Sequence, residues 1–246
     1  MDKNVLDRIN MAYKGELGDK MERSSRERID WMCENVKGNT VLDVGCSQGI
    51  TSILLGRCGK QVTGIDVVDE QIEYARKELA EESESVNANV EFICGDFANF
   101  DFGNEKFDTI IMGECLEHVF NPVLFLDKAK DLLNSEGRLI VTVPFGINPH
   151  PDHKRTYYFL ELFNQINERI CVDSVRFFGG WIGYIADMSL KKPKVVIDDR
   201  LVSLIEDAFF KVDERKLSML NNEKEKQMRV TAKLAERNEE IMQIPK

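Results

Sequence analysis

No apolar run in this 246-residue chain approaches the roughly 20 residues that a membrane-spanning helix needs. The six cysteines include no C-x-x-C pair, which sets aside zinc knuckles and a disulfide framework. Reduced thiols in a cytoplasmic protein are the expectation. The N-terminal stretch Met1-Asp-Lys-Asn-Val5 lacks the pattern of a secretory signal. Positive charge is short too: 33 Lys and Arg against 43 Asp and Glu leave a net charge of −10. That balance argues against broad contact with a phosphate backbone, while leaving room for a terminal ribose held by a local basic patch. The rest of the composition, 43% hydrophobic and 31% charged, is that of a globular protein. The length suits one α/β domain with an extension.

A pyrophosphate-binding G-x-G-x-x-G is missing as well, and its nearest counterpart is more informative. In Val41-Leu-Asp-Val-Gly-Cys-Ser-Gln-Gly49, a buried strand runs into a glycine turn that opens a helix through Ile50, Ile53 and Leu55. The next apolar run, Gln61 to Asp66, ends in a carboxylate suited to a ribose diol. Asp43 beside the turn, with Ser47 inside it, suits a ligand that carries an ammonium group and no phosphate. S-adenosylmethionine has that chemistry.

These residues resemble the first motif of the class I S-adenosylmethionine-dependent methyltransferases. Cys94-Gly-Asp-Phe97, Phe107 to Met112 and Gly137 to Pro144 resemble that family's later segments in order. The resemblance covers roughly residues 35–190. It implies an α/β, Rossmann-like sheet of seven strands closed by an antiparallel hairpin, here Cys171–Phe178 and Trp181–Met188 around Gly179-Gly180. It also implies a cofactor site made of Asp43, Gly45, Ser47, Gly49, Asp66, Val67, Asp96 and Phe97, the last two at the adenine.

Helical periodicity predicts one N-terminal helical stretch over 5–36, a helix capped by Asp69, a polar link over 81–89, a helix from Val123 that Gly137 ends, and another over 157–168. The methyltransferase domain is expected over 1–190. Residues 191–246 read as a charged helical extension, amphipathic from Leu201 to Phe209. Leu220, Gln227, Leu234 and Ile241 are heptad-spaced, but the companion seam holds Lys224, Thr231 and Asn238. A solvated helix, a homo-oligomerisation helix and a linker to a longer chain all fit that pattern.

All three histidines fall in two segments beside the expected cleft: His118 in Gly113-Glu-Cys-Leu-Glu-His-Val119, and His150 and His153 in Asn148-Pro-His-Pro-Asp-His-Lys154. If a helix starts at Glu114, then Glu114, Glu117 and His118 share a face. That makes part of a shell for a divalent cation such as Mg²⁺, Mn²⁺, Fe²⁺ or Zn²⁺. The segment resembles the E-x-x-E-H site of two groups, the ubiquinone-biosynthesis O-methyltransferases and the small-RNA 3′-terminal 2′-O-methyltransferases. The second resemblance implies metal ligands at Glu114, Glu117, His118 and His153, and no role for His150. The alternative is a metal-free site in which the glutamates and histidine make structural hydrogen bonds. His118 and His153 are the candidate catalytic bases, and metal-supported activity is expected to decline below about pH 6.5, the reference histidine pKa.

The [DNS]-P-P-[YFW] motif of nucleic-acid amino-methyltransferases is absent after Met112, which favours methylation of oxygen over an exocyclic nitrogen. A carbohydrate or sugar-containing acceptor ranks first, a terminal RNA ribose second and a catechol or quinone third. A catalytically silent scaffold is the non-enzyme alternative. Phe145, Tyr157, Tyr158, Phe159, Phe177, Phe178 and Trp181 cluster near the expected mouth, most of them as core. Lys154 and Arg155 read either as holders of an acceptor phosphate or carboxylate, or as a solvated pair.

Overall fold

Short apolar runs that would expose both faces as isolated strands become fully buried when helices cover a parallel sheet on each side. A computed structural model of the protein, describing residues 8–148, 150–178, 180–195 and 198–242, shows this arrangement. The strands are β1 (Thr40–Val44), β2 (Gln61–Asp66), β3 (Val90–Cys94), β4 (Phe107–Gly113), β5 (Leu133–Pro144), β6 (Val172–Phe178) and β7 (Trp181–Asp187). They lie in the order β3-β2-β1-β4-β5-β7-β6. β1 pairs in parallel with β2 and β4, setting Val44 beside Ile65 and Met112. β7 returns antiparallel between β5 and β6, with Val141 opposite Tyr184. The closing hairpin is therefore present; Gly179 of its turn lies outside the described residues.

The helices are α1 (Ile9–Tyr13), α2 (Asp19–Glu34), α3 (Ile50–Arg57), α4 (Asp69–Ala80), α5 (Glu84–Asn87), α6 (Pro122–Leu132), α7 (Phe159–Asn167) and α8 (Asp199–Met242). Ile29, Trp31 and Met32 of α2 share a buried cluster with Ile111, Ile140 and Ile185 of the sheet. Each such side chain is worth about 1.5–3 kcal/mol of transfer free energy.

Several boundaries differ from expectation for local reasons. The break between the N-terminal helices falls at Gly15 (φ +82°) and Gly18 (φ +95°), which take left-handed turns; the first residues, 1–7, lie outside the described ones. Val68, not Asp69, is the N-cap of α4; Asp69 sits in its first turn, where it favours the helix dipole. The polar link contains the short α5. α6 stops at Leu132, and β5 begins at once, pairing Leu133 with Phe107 ahead of a bulge.

Residues 197–246 form a separate unit containing the 44-residue α8. Within it Lys224, Gln227, Thr231 and Leu234 are exposed and Leu220 is half-buried; the side chains of Asn238 and Ile241 lie outside the described residues. The first unit reaches Val196, past the expected residue 190, because the Lys194 N–H donates to the Val172 carbonyl (3.0 Å) at the start of β6. A chain cut after residue 195 is expected to keep one cooperative thermal transition and native-like circular dichroism. Loss of the transition would mean that the extension belongs to the core.

Candidate active site

The strand order reverses between β1 and β4, and in open α/β sheets the crevice at the carboxyl ends of such strands takes the ligand. The turn after β1 is held there by unusual backbone geometry. Gly45 (φ +71°), Ser47 (φ +47°) and Gly49 (φ +80°) are all left-handed, and Gly49 caps α3. The Gly45 and Cys46 N–H groups donate to the Ile65 carbonyl at 2.8 and 3.2 Å. A Cβ on Gly49 would lie 2.5 Å from the Phe92 ring, and one on Gly45 would lie 3.2 Å from Cys115 Cβ. Both glycines thus allow the protein to pack against itself.

Asp66 closes this arrangement. Its two carboxylate oxygens accept the N–H groups of Ser47 and Val68, each at 2.9 Å, which orients it at the strand end with lone pairs to spare. Val67 beside it is 69% exposed. Asp96 is exposed at the end of β3, bonded to the Ala98 N–H and the Asn99 amide.

Two expected cofactor residues sit deeper than the sequence suggested. Asp43 is buried and accepts the Ser52 hydroxyl at 2.7 Å, which braces α3 beneath the turn. Burial pushes its carboxyl up to about 6. Phe97 is buried against Phe102 and Phe125 with the Lys128 ammonium over its ring. A contact that sequence reading missed is Asn10 of α1, whose backbone N–H and side-chain amide both bond Gln48 inside the glycine turn.

On the other side of the crevice, Glu114 follows β4 with a left-handed backbone (φ +57°), and a single 3-10 turn follows at Leu116–His118. No α-helix starts at Glu114, so it does not share a face with Glu117 and His118. Its carboxylate instead pairs with the buried Arg28 of α2 and accepts the Trp181 indole N–H at 2.5 Å. Arg28 was missed; its only sequence signal was an arginine beside Ile29 on the apolar face of a helix.

The remaining residues converge. Glu117, His118 and His153 present ligand atoms within 4.8 Å of one another. Glu117 is 1% exposed, and neither of its oxygens has a hydrogen-bond partner among the described residues. Burial, followed by the charge of Glu114, pushes its carboxyl up to about 8. His153 directs Nδ1 to the Asn148 carbonyl at 3.1 Å, which places the proton there and leaves the Nε2 lone pair free. Burial, then His118 and His150, hold its pKa below the ordinary value. His150, given no role by sequence, joins the group: its ring centre lies 4.9 Å from that of His153 and 6.1 Å from that of His118. The Lys154 N–H donates to the Glu117 carbonyl at 2.8 Å and fastens the two segments together.

A buried carboxylate without a donor, facing two imidazoles, fits a divalent cation; Glu114, already paired, does not belong to that set. In chelated protein this carboxyl has a testable consequence. Its folded pKa lies above its unfolded one, so the folded state holds an extra proton between about pH 4.5 and 8. Its contribution to stability is complete below that window and is lost as pH rises through it. Urea titrations should show this decline in the parent and a flatter profile in Glu117→Gln.

A family model described as "Methyltransferase domain" matches residues 35–175. A ubiquinone biosynthesis O-methyltransferase of Actinobacillus pleuropneumoniae is 38% identical over 117 residues, 46% of this chain and 50% of that protein. A mitochondrial counterpart from Arabidopsis thaliana is 31% identical over 43% of this chain and 32% of its own length. The chain thus spans about half or less of these curated relatives. Among solved structures, magnesium protoporphyrin IX methyltransferase of Synechocystis with bound S-adenosylhomocysteine has a TM-score of 0.59 at 19% identity, covering 74% of this chain and 93% of that one. The cyclase SpnF scores 0.61 at 16% identity over 70% and 83%, a reminder that this fold alone does not fix a reaction. With its motifs in order and its strands in place, the chain belongs to the methyltransferase domain family, in its class I S-adenosylmethionine-dependent form.

Proposed function

We propose that the protein is an S-adenosylmethionine-dependent O-methyltransferase whose acceptor hydroxyl is held at Glu117, His118 and His153. The observation that carries this reading is the buried, unpartnered Glu117 facing two imidazoles across the crevice from the Asp66 turn. The donor supplies a methyl group on sulfonium sulfur. The acceptor oxygen attacks that carbon in line as the carbon–sulfur bond breaks; its electron pair stays on sulfur, and the oxygen's proton passes to a base. With no metal at the site, His153 Nε2 suits the last role, since burial and the neighbouring His118 and His150 hold its pKa below the ordinary value. A divalent cation at the same three residues would supply Lewis-acid and template chemistry. Asp66 and the turn hold the donor's ribose.

Of the acceptors weighed from sequence, the catechol or quinone class gains support from the name of the ubiquinone-biosynthesis relatives. The carbohydrate class gains none from them. The test is calorimetry with S-adenosylmethionine, followed by transfer of labelled methyl to paired catechol and sugar-diol acceptors. Binding with transfer to oxygen is expected. A protein that binds no donor would be a scaffold and not an enzyme.

A further inference from the structure

Phe120, two residues beyond His118, is 82% exposed, the most exposed large apolar side chain among the described residues. It is also held in place. The Arg155 guanidinium donates to the Phe120 carbonyl at 2.8 Å, and its other arm lies 3.8 Å from Glu161. Arg155 is thereby occupied as a strut. The Lys154 ammonium sits 5.5 Å from the Phe120 ring centre, and its side chain is exposed. Because the Lys154 N–H is bonded to the Glu117 carbonyl, this cation and ring are anchored to the same segments as the histidines. Of the cation–ring pairs among the described residues, this is the one in which both side chains are exposed.

We propose that Phe120 and Lys154 form an acceptor subsite for a small molecule with a ring and an anionic substituent, phosphate or carboxylate. The ring stacks on Phe120 and the anion pairs with Lys154, placing the acceptor's hydroxyls toward Glu117, His118 and His153. This rests on the O-methyltransferase reading above and narrows it: neutral acceptors are the poor ones. Stacking and a charge-assisted contact each add affinity at a partly desolvated rim.

The experiment measures binding of phenyl phosphate, benzoate, phenol and methyl phosphate to the full chain by ligand-observed NMR. It is run in chelator at pH 8, so that neither a metal nor a histidinium can take the anion. Phenyl phosphate is expected to bind at least about tenfold more tightly than phenol or methyl phosphate, and benzoate shows whether a carboxylate serves as well. Phe120→Ala and Lys154→Gln should each remove most of that advantage. Both positions are exposed, so neither variant is expected to unfold, and an unchanged thermal midpoint checks this. Equal binding of phenol and phenyl phosphate, or a preference that survives both substitutions, overturns the proposal. Donor binding measured on the same samples separates the two readings, since its absence would overturn the O-methyltransferase assignment itself.

Discussion

Asp66→Ala is expected to weaken S-adenosylmethionine binding by about thirtyfold or more. Two charge-assisted hydrogen bonds to a ribose diol are worth about 2–4 kcal/mol, and each 1.4 kcal/mol is a factor of ten. The structure adds a second route to the same loss. The carboxylate also accepts the Ser47 and Val68 N–H groups, so alanine frees a left-handed serine from the contact that holds it. Asp66→Asn separates the routes: its carbonyl oxygen still accepts one backbone N–H, while the charge is gone. Calorimetry should rank the parent above asparagine and asparagine above alanine. An alanine variant that binds as well as the parent would place the ribose elsewhere.

If a divalent cation is held at Glu117, His118 and His153, its removal should abolish methyl transfer and leave donor binding nearly intact, because Asp66 and the glycine turn lie on other segments. His153→Ala should resemble the chelated protein, and Glu117→Gln should cut metal affinity by at least about a hundredfold, more than loss of an outer-shell partner costs. His150→Ala should be milder, since His150 is half-exposed at the edge of the group. The pH range differs from the one that histidine chemistry suggests. His153 is already biased toward its neutral form, whereas Glu117 keeps its proton up to about pH 8. Metal uptake must displace that proton, so affinity should fall as pH drops below about 8, before the usual histidine range is reached. Full activity in excess chelator, with no metal in the purified protein, would leave His153 as a simple base.

What was legible in the sequence was whatever depends on one segment at a time. The runs Val41–Val44 and Gln61–Asp66, with Gly45 and Gly49 in the turn after the first, specified strand, turn, helix and strand because a buried strand must be apolar and a left-handed turn favours glycine. The closing hairpin was legible as two apolar runs separated by a pair of glycines. What failed needed contacts across the chain. The spacing of Glu114, Glu117 and His118 is helical, but a left-handed residue and a single 3-10 turn break it, and the partners that draw Glu114 away come from α2 and β7. The depth of Asp43 and Phe97 was likewise not legible, since it is set by Ser52 and by Phe125. His150 gave no signal apart from its neighbours, and only the fold brings the three rings together.

The clasp between Asn10 and Gln48 bears on how shortened versions of this protein behave. α1 has five residues, too few to hold a helix unaided, and it is separated from α2 by Gly15 and Gly18. Its grip on Gln48 therefore fastens the start of the described chain to the donor turn. A clone trimmed past Asn10 removes no carboxylate or glycine of that turn, yet it strips buried Gln48 of both hydrogen bonds from Asn10. Such a clone would purify as a folded protein with a donor-binding defect. Mapping by deletion would then register the loss of a brace beneath the turn as a loss of donor contacts.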